Sequence, residues 1–156
     1  SGKAIVPSLV KRGADEDAPH FDDLGFDEAH LRTVRSGLVA VVNDPEGTGK
    51  NAALGPGMPQ VAGKTGTSQV SRASSDSAQE ALPWKLRDHA LFVSYLPAGA
   101  PRYAFSAIVE HGGSGGATAA PLVRDLMTMV LERDAAVMQG AVRDGPAPAA
   151  AADREG

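Results

Sequence analysis

Gly63-Lys64-Thr65-Gly66-Thr67 packs one lysine, two threonines and two glycines into five consecutive positions. An ammonium and two hydroxyls this close together form a set of donors suited to an anion. Gly66 lacks a Cβ, so another main chain can come near at that point and meet backbone N–H groups. Thr65, Thr67 and Val70 favour extended backbone. The stretch from Val61 to Val70 therefore reads as a strand whose inner edge is a docking surface for an anionic guest. A glycine- and threonine-rich strand with no site would carry the same residues, so the surroundings must decide.

Three other motifs compete for attention. Gly63-Lys64-Thr65 ends like a phosphate loop of the form G-x-x-x-x-G-K-[ST], which would make the chain a nucleotide binder. Gly57 stands one residue too far upstream, and Met58 occupies the position that should be glycine. A phosphate loop must also run into a helix, and Gly66, Thr67 and Val70 start helices poorly. Ser8-Leu9-Val10-Lys11 is a literal S-x-x-K, a spacing that can set a nucleophilic serine beside a lysine base on one helical turn. Pro7 before it favours extended chain, and Gly13 follows too soon for a stable helix, so Ser8 is not expected to be a nucleophile. Ser75-Asp76-Ser77 approximates an S-x-N box but has no asparagine.

The elements that must position the Lys64 stretch can be read from periodicity. Asp27 to Asn43 predicts a helix with Leu31, Val34, Leu38, Val41 and Val42 as its apolar stripe. Asp27 is its cap, and Phe26 is placed to staple onto Leu31. Arg32 and Arg35 fall on the solvated side. Thr48 to Gln60 is irregular, rich in glycine and proline. Ser71 to Asp88 reads as a long loop with Trp84 as its packing anchor. Ala90 to Leu96 and Tyr103 to Glu110 predict two strands joined by the hairpin loop Pro97 to Pro101. Gly112 to Gly116 is a flexible turn into a second helix, Thr118 to Arg133, with Leu122, Leu126, Met129 and Val130 as its stripe and its methionines as core fillers. His89 and His111 sit at strand ends, where hydrogen bonding is the expected role. Residues 1–133 form the domain. Residues 134–156 are an Ala/Pro-rich tail expected to lack order.

Composition narrows the classes. The 156 residues allow one ordinary domain, and 42% hydrophobic with 22% charged residues is a globular balance. A formal charge of −4 argues against nucleic acid as a partner. With no cysteine there is no disulfide framework or Cys-based zinc site, and the four histidines lack ligand spacing, so no metal and no cofactor is expected. No apolar run reaches the ~20 residues of a membrane span, and no signal peptide precedes Ala4-Ile5-Val6-Pro7.

Lys64-Thr65-Gly66-Thr67-Ser68-Gln69 resembles the K-T-G box of penicillin-reactive serine acyl-transferases. The helix from Leu31 to Val42, Gly47-Thr48-Gly49 and Val61-Ala62-Gly63 precede the box. His89 to Pro97 and Tyr103 to Gly113 follow it. In this order, over about residues 4 to 133, the chain resembles the C-terminal half of the transpeptidase domain of class B penicillin-binding proteins, with the penicillin-binding protein 2 branch nearest.

The resemblance implies an α+β fold: an antiparallel sheet packed with helices, a partial β-lactamase/transpeptidase-like fold without its helical subdomain. It implies a peptidoglycan D,D-transpeptidase, in which a serine attacks the D-Ala-D-Ala bond of a stem peptide and is trapped by β-lactams. Lys64 would keep the site electropositive and help recognise the carboxylate. The Thr65 and Thr67 hydroxyls would bind the terminal carboxylate. The Thr67 backbone N–H would be one oxyanion-hole donor, a contribution of ~10²–10³ in rate. Gly66 would let the substrate backbone lie along the strand.

The serine box of the family is not matched, so the chain is expected to be a C-terminal fragment, inactive alone, of an enzyme anchored at the periplasmic face of the bacterial inner membrane. Its uncovered sheet surface is expected to drive self-association. A non-catalytic penicillin-sensing or scaffold module of the same fold is the alternative.

Overall fold

The structure is a computed structural model, and it describes residues 2–10, 13, 19–70 and 81–134. Lys11, the Ser75-Asp76-Ser77 box and the tail from residue 135 lie outside the described residues. The chain divides into two compact units, Ser1–Gly37 and Leu38–Gly156.

In the first unit, Lys3 and Asp23 form an isolated antiparallel bridge, flanked by Ala4 N–H donating to the Asp22 carbonyl at 2.9 Å. The Asp23 carboxylate accepts the Gly25 N–H at 2.7 Å, and Gly25 takes the left-handed φ of 69° that glycine tolerates. Helix α1 (Glu28–Asn43) starts here. Asp27 caps it as predicted, its carboxylate accepting the Ala29 N–H at 2.6 Å. Phe26 is exposed rather than closed down as a staple, and Val34 of the predicted stripe is 60% exposed. Arg35 pairs with Glu28 at 2.7 Å on the solvated side. Ser8 is not on a helical turn. Its hydroxyl accepts the Val10 N–H and donates back to the Val10 carbonyl, a closed local bend.

The second unit is built on three antiparallel strands, β1 (Ala62–Ser68), β2 (His89–Leu96) and β3 (Tyr103–Val109), in the order β1-β2-β3. The register pairs Lys64 with Val93 and Thr65 with Phe92, then Val93 with Ser106 and Phe92 with Ala107. Alternation sorts the side chains onto two faces. One face holds Gly63, Thr65 and Thr67 with Ala90, Phe92, Ser94 and Leu96, the last four all buried. The other holds Lys64, Gly66 and Ser68 with Leu91, Val93 and Tyr95. On that second face Val93 is 52% and Ile108 69% exposed.

Helix α2 (Ala120–Arg133) belongs with the buried face. Ala119, Ala120, Val123, Met127 and Leu131 join Phe92, Leu96, Ala90, Val42, Val61 and Ala52 in one core. The expected stripe of α2 is thus corrected. Leu122, Leu126 and Met129 are about half exposed, and the row Val123, Met127, Leu131 packs inward instead. The helix also starts later than Thr118. Gly115–Ala119 forms a π-helical turn, with the Thr118 hydroxyl donating to the Gly112 carbonyl at 2.7 Å. Ser94 is buried and satisfied, its hydroxyl directed at the Met127 sulfur. At the far end of α2 the Tyr103 hydroxyl donates to the Asp134 carboxylate, which also meets Arg102 at 3.4 Å.

The strand ends behave as the sequence predicts. His89 Nδ1 accepts the His111 N–H at 2.9 Å, and His111 Nδ1 lies 2.9 Å from the Arg87 carbonyl. Trp84 packs edge-on against His111 with ring centres 4.5 Å apart, yet stays 57% exposed, so it anchors a surface and not the core.

Candidate functional site

Lys64, Thr65, Gly66 and Thr67 all fall within β1, and among the described residues β1 is an outermost strand of its sheet. The backbone stays extended through Ser68, so no helix follows Gly63-Lys64-Thr65. That removes the phosphate-loop reading, which needs this tripeptide to enter a helix N-terminus.

The strand's position is fixed from behind. Val61, just before β1, is fully buried, and its carbonyl accepts the Asn43 side-chain amide at 2.7 Å. The same amide bonds the Val39 carbonyl at 2.7 Å, so the last turn of α1 is tied to the start of β1. Gly63 lies over the Phe92 ring, and a Cβ there would come within 2.7 Å of Phe92 Cζ. Gly115 lies against the backbone of Gly66 and Leu91, where a Cβ would collide with both carbonyl oxygens. Beside it, a Cβ on Gly116 would collide with the Thr48 carbonyl and lie 3.6 Å from Thr65 Cγ2.

The residues singled out by the sequence do not all point one way. Thr65 and Thr67 share the face that packs toward α2, and Lys64 projects to the opposite face. The Lys64 side chain bends back so that Nζ donates to the Thr65 carbonyl at 2.8 Å. That contact brings the ammonium to the main chain between the two threonines. Lys64 and Thr67 are exposed, and Thr65 and Gly66 are half-buried. A guest lying along β1 can therefore meet hydroxyls from one side and the ammonium from the other.

Two groups at this site were not predicted. The Thr48 and Thr65 hydroxyls are 3.1 Å apart. Asn51 donates its side-chain amide to the Gly116 carbonyl at 2.9 Å, joining the loop after α1 to the π-helical turn. Thr48 to Gln60 is irregular, as its glycine and proline content predicts, apart from a short 3-10 turn at Lys50–Ala52. The signal available was the pair Gly115-Gly116, small residues that let one backbone approach another.

On the Lys64 face, a hollow of about 340 Å³ opens between Leu38, Lys64, Val93, Tyr95, Ala104 and Ser106. Its walls are mainly the apolar outer surface of β2 and β3, with Lys64 at one side. Among the described residues no group of three or more His, Asp or Glu is placed to hold a metal ion. No described helix is long and apolar enough to cross a membrane.

Comparison with known proteins gives a consistent picture. Residues 1–128 match the model of the penicillin binding protein transpeptidase domain. The chain is 31% identical over 149 residues to the peptidoglycan D,D-transpeptidase MrdA of Salmonella typhimurium, covering 89% of this chain and 22% of that protein. It is 33% identical over 144 residues to MrdA of Haemophilus influenzae, covering 85% and 22% respectively. The chain thus spans about a fifth of the length of these relatives. Among solved structures it superposes on Helicobacter pylori PBP2, solved in complex with MreC, with a TM-score of 0.61 and 27% identity over 77% of this chain and 21% of that one. Pseudomonas aeruginosa PBP2, solved in complex with WCK 5153, gives a TM-score of 0.57 and 33% identity over 74% and 23%.

Proposed function

The chain belongs to the penicillin binding protein transpeptidase domain family, and from that premise we propose that it supplies the carboxylate-binding strand of a peptidoglycan D,D-transpeptidase. The observation that supports this reading is the run Lys64-Thr65-Gly66-Thr67 on an outermost strand, with two hydroxyls and one ammonium converging on a single stretch of main chain. The Thr65 and Thr67 hydroxyls bind the terminal carboxylate of a D-Ala-D-Ala stem peptide or of a β-lactam. Lys64 holds the positive potential that draws the carboxylate in. The Thr67 N–H stabilises the oxyanion as the acyl carbonyl becomes tetrahedral. Gly66, without a side chain, lets the peptide lie against β1.

The nucleophilic serine is supplied by polypeptide outside these residues. Ser8 is turned onto Val10, and Ser94 is buried against Met127. The protein works at the periplasmic face of the inner membrane in cell-wall elongation, and its activity determines cell shape.

Intact-mass measurement tests the reading. The longer polypeptide that contains these residues, incubated with benzylpenicillin, gains the whole mass of the drug. The serine oxygen bonds to the lactam carbonyl carbon, the ring C–N bond breaks, and the nitrogen takes the proton. Residues 1–156 alone gain nothing. Lys64→Ala slows adduct formation at least ~10-fold, as expected for losing a charge-assisted contact. An adduct on any serine of residues 1–156, or full reactivity in Lys64→Ala, overturns the assignment.

A further inference from the structure

We propose that Thr48 is a positioning residue for the Thr65 hydroxyl and sets the direction of its proton toward the bound carboxylate. The inference rests on the carboxylate-binding reading of β1 given above.

The two hydroxyls are 3.1 Å apart and come from segments 17 residues apart in sequence. Neither threonine is loosely held. Thr65 is fixed by the sheet. Thr48 sits between Gly47, whose N–H donates to the Asp44 carbonyl at 2.9 Å, and Gly49, whose N–H donates to the Val41 carbonyl at 2.9 Å. Gly49 is buried against the Phe92 ring, where a Cβ would approach Cε2 to 3.0 Å. The Thr48 carbonyl is in close contact with Gly116, which Asn51 ties back to the same loop. A loop bound at four points presents one hydroxyl to the middle of the binding strand.

The chemistry follows from counting protons. A threonine hydroxyl has one hydrogen to donate and two lone pairs that accept. An ionised carboxylate only accepts. When Thr65 donates its single hydrogen to a carboxylate, it cannot also donate to Thr48, so Thr48 must be the donor of the pair. The chain of bonds then runs from Thr48 to Thr65 to the guest. Each donation polarises the next hydroxyl and strengthens its bond. With no anion bound, the pair is free to reverse. Thr48 therefore acts on recognition through Thr65, without touching the ligand.

The experiment compares benzylpenicillin with its methyl ester, which has no charged carboxylate, in the longer polypeptide containing these residues. The second-order acylation rate constant is measured for wild type, Thr48→Val, Thr48→Ser, Thr65→Val and the Thr48→Val/Thr65→Val pair. Thr48→Val keeps the branched shape and removes the hydroxyl. It is expected to slow benzylpenicillin about 2- to 10-fold, the range of one hydroxyl hydrogen bond, and to leave the ester unchanged. Thr48→Ser restores the wild-type rate, and in the Thr65→Val background Thr48→Val has no further effect.

Equal slowing of both compounds, or an undiminished effect in the Thr65→Val background, overturns the inference and makes Thr48 a structural link only. If Thr48→Val does not fold, Thr48→Ala is read by the same comparison. A wild-type protein that forms no adduct overturns the underlying reading as well. An adduct without discrimination between acid and ester in Thr48→Val overturns this inference alone.

Discussion

Gly115→Ala is the most direct test of how the candidate binding strand β1 is held. Gly115 is buried in the π-helical turn before α2. An added methyl would collide with the Leu91 and Gly66 carbonyl oxygens and sit 3.1 Å from the Gly66 nitrogen. All three atoms belong to the backbone of paired strands, since Gly66 and Leu91 are partners in the β1–β2 ladder. None can swing aside as a side chain would. The turn or the strand must shift, and overpacking of this kind costs about 1–3 kcal/mol. For a chain of this size that lowers Tm by about 2–12 °C, at roughly 2–4 °C per kcal/mol.

Gly99→Ala is the matched control. Gly99 lies in the hairpin loop with nothing within 4 Å of an added Cβ, so its change stays within about 0.5 kcal/mol. Thermal melts of the two variants, with β-lactam acylation rates measured in the longer polypeptide that contains these residues, separate the effects. The site is displaced as well as destabilised if Gly115→Ala slows acylation, because the collision falls at the centre of Lys64-Thr65-Gly66-Thr67. A Gly115→Ala melt within a degree of Gly99→Ala would refute the packing of the turn behind β1.

Three further outcomes are expected. The Tyr103 phenol titrates above its ordinary value of 10, chiefly because it donates a hydrogen bond to Asp134; burial and the Asp134 charge add to the rise, and Arg102 opposes it. A raised acid favours its protonated form in the fold. Its stabilisation is therefore complete below pH ~10 and is lost as pH climbs through the higher folded value. Tyrosinate absorbance in a Tyr95→Phe background reads Tyr103 alone, and a midpoint at or below 10 contradicts the contact. Phe92→Ala, at a fully buried ring beside Gly49 and Gly63, costs about 3–5 kcal/mol in urea unfolding, whereas Ile108→Ala on the open face costs under about 1 kcal/mol; equal costs would mean the two sheet faces are wrongly assigned. Residues 1–156 alone self-associate through the face carrying Val93 and Ile108: sedimentation should show mass rising with concentration, Ile108→Lys should suppress it, and a concentration-independent monomer counts against it.

How much of this was legible in the sequence depends on where the information lies. β2 and β3 were legible from composition and length, as short runs rich in aromatic and branched residues bounded by proline and glycine. Which face is buried was not, because Leu91, Val93 and Tyr95 are as apolar as the buried Ala90, Phe92 and Leu96. The existence of α2 was equally clear, but not its orientation. The helix carries two apolar rows, Leu122-Leu126-Met129 and Val123-Met127-Leu131, and helical periodicity admits both. The choice was made by Ala119 and Ala120, fully buried small residues that let the second row close on Phe92 and Leu96. Such a preference belongs to the surface being packed against and leaves no mark in the helix's own period.

The site divides along the same line. Lys64, Thr65, Gly66 and Thr67 stand out as candidates because donors suited to an anion are consecutive there. The support behind them was not, because Thr48, Asn51, Gly115 and Gly116 come from two distant segments. Two of those four, Gly115 and Gly116, act through backbone and by having no side chain at all. Gly115-Gly116, within a run whose composition predicts a flexible turn, is in the fold a close-packed contact against β1, where the same missing Cβ gives proximity in place of freedom. A candidate binding strand can therefore be proposed from residue types in a row, whereas the packing that holds it is written in contacts between segments. That is why the Thr48 hydroxyl, and not a residue of the lysine–threonine run itself, is the informative position to change.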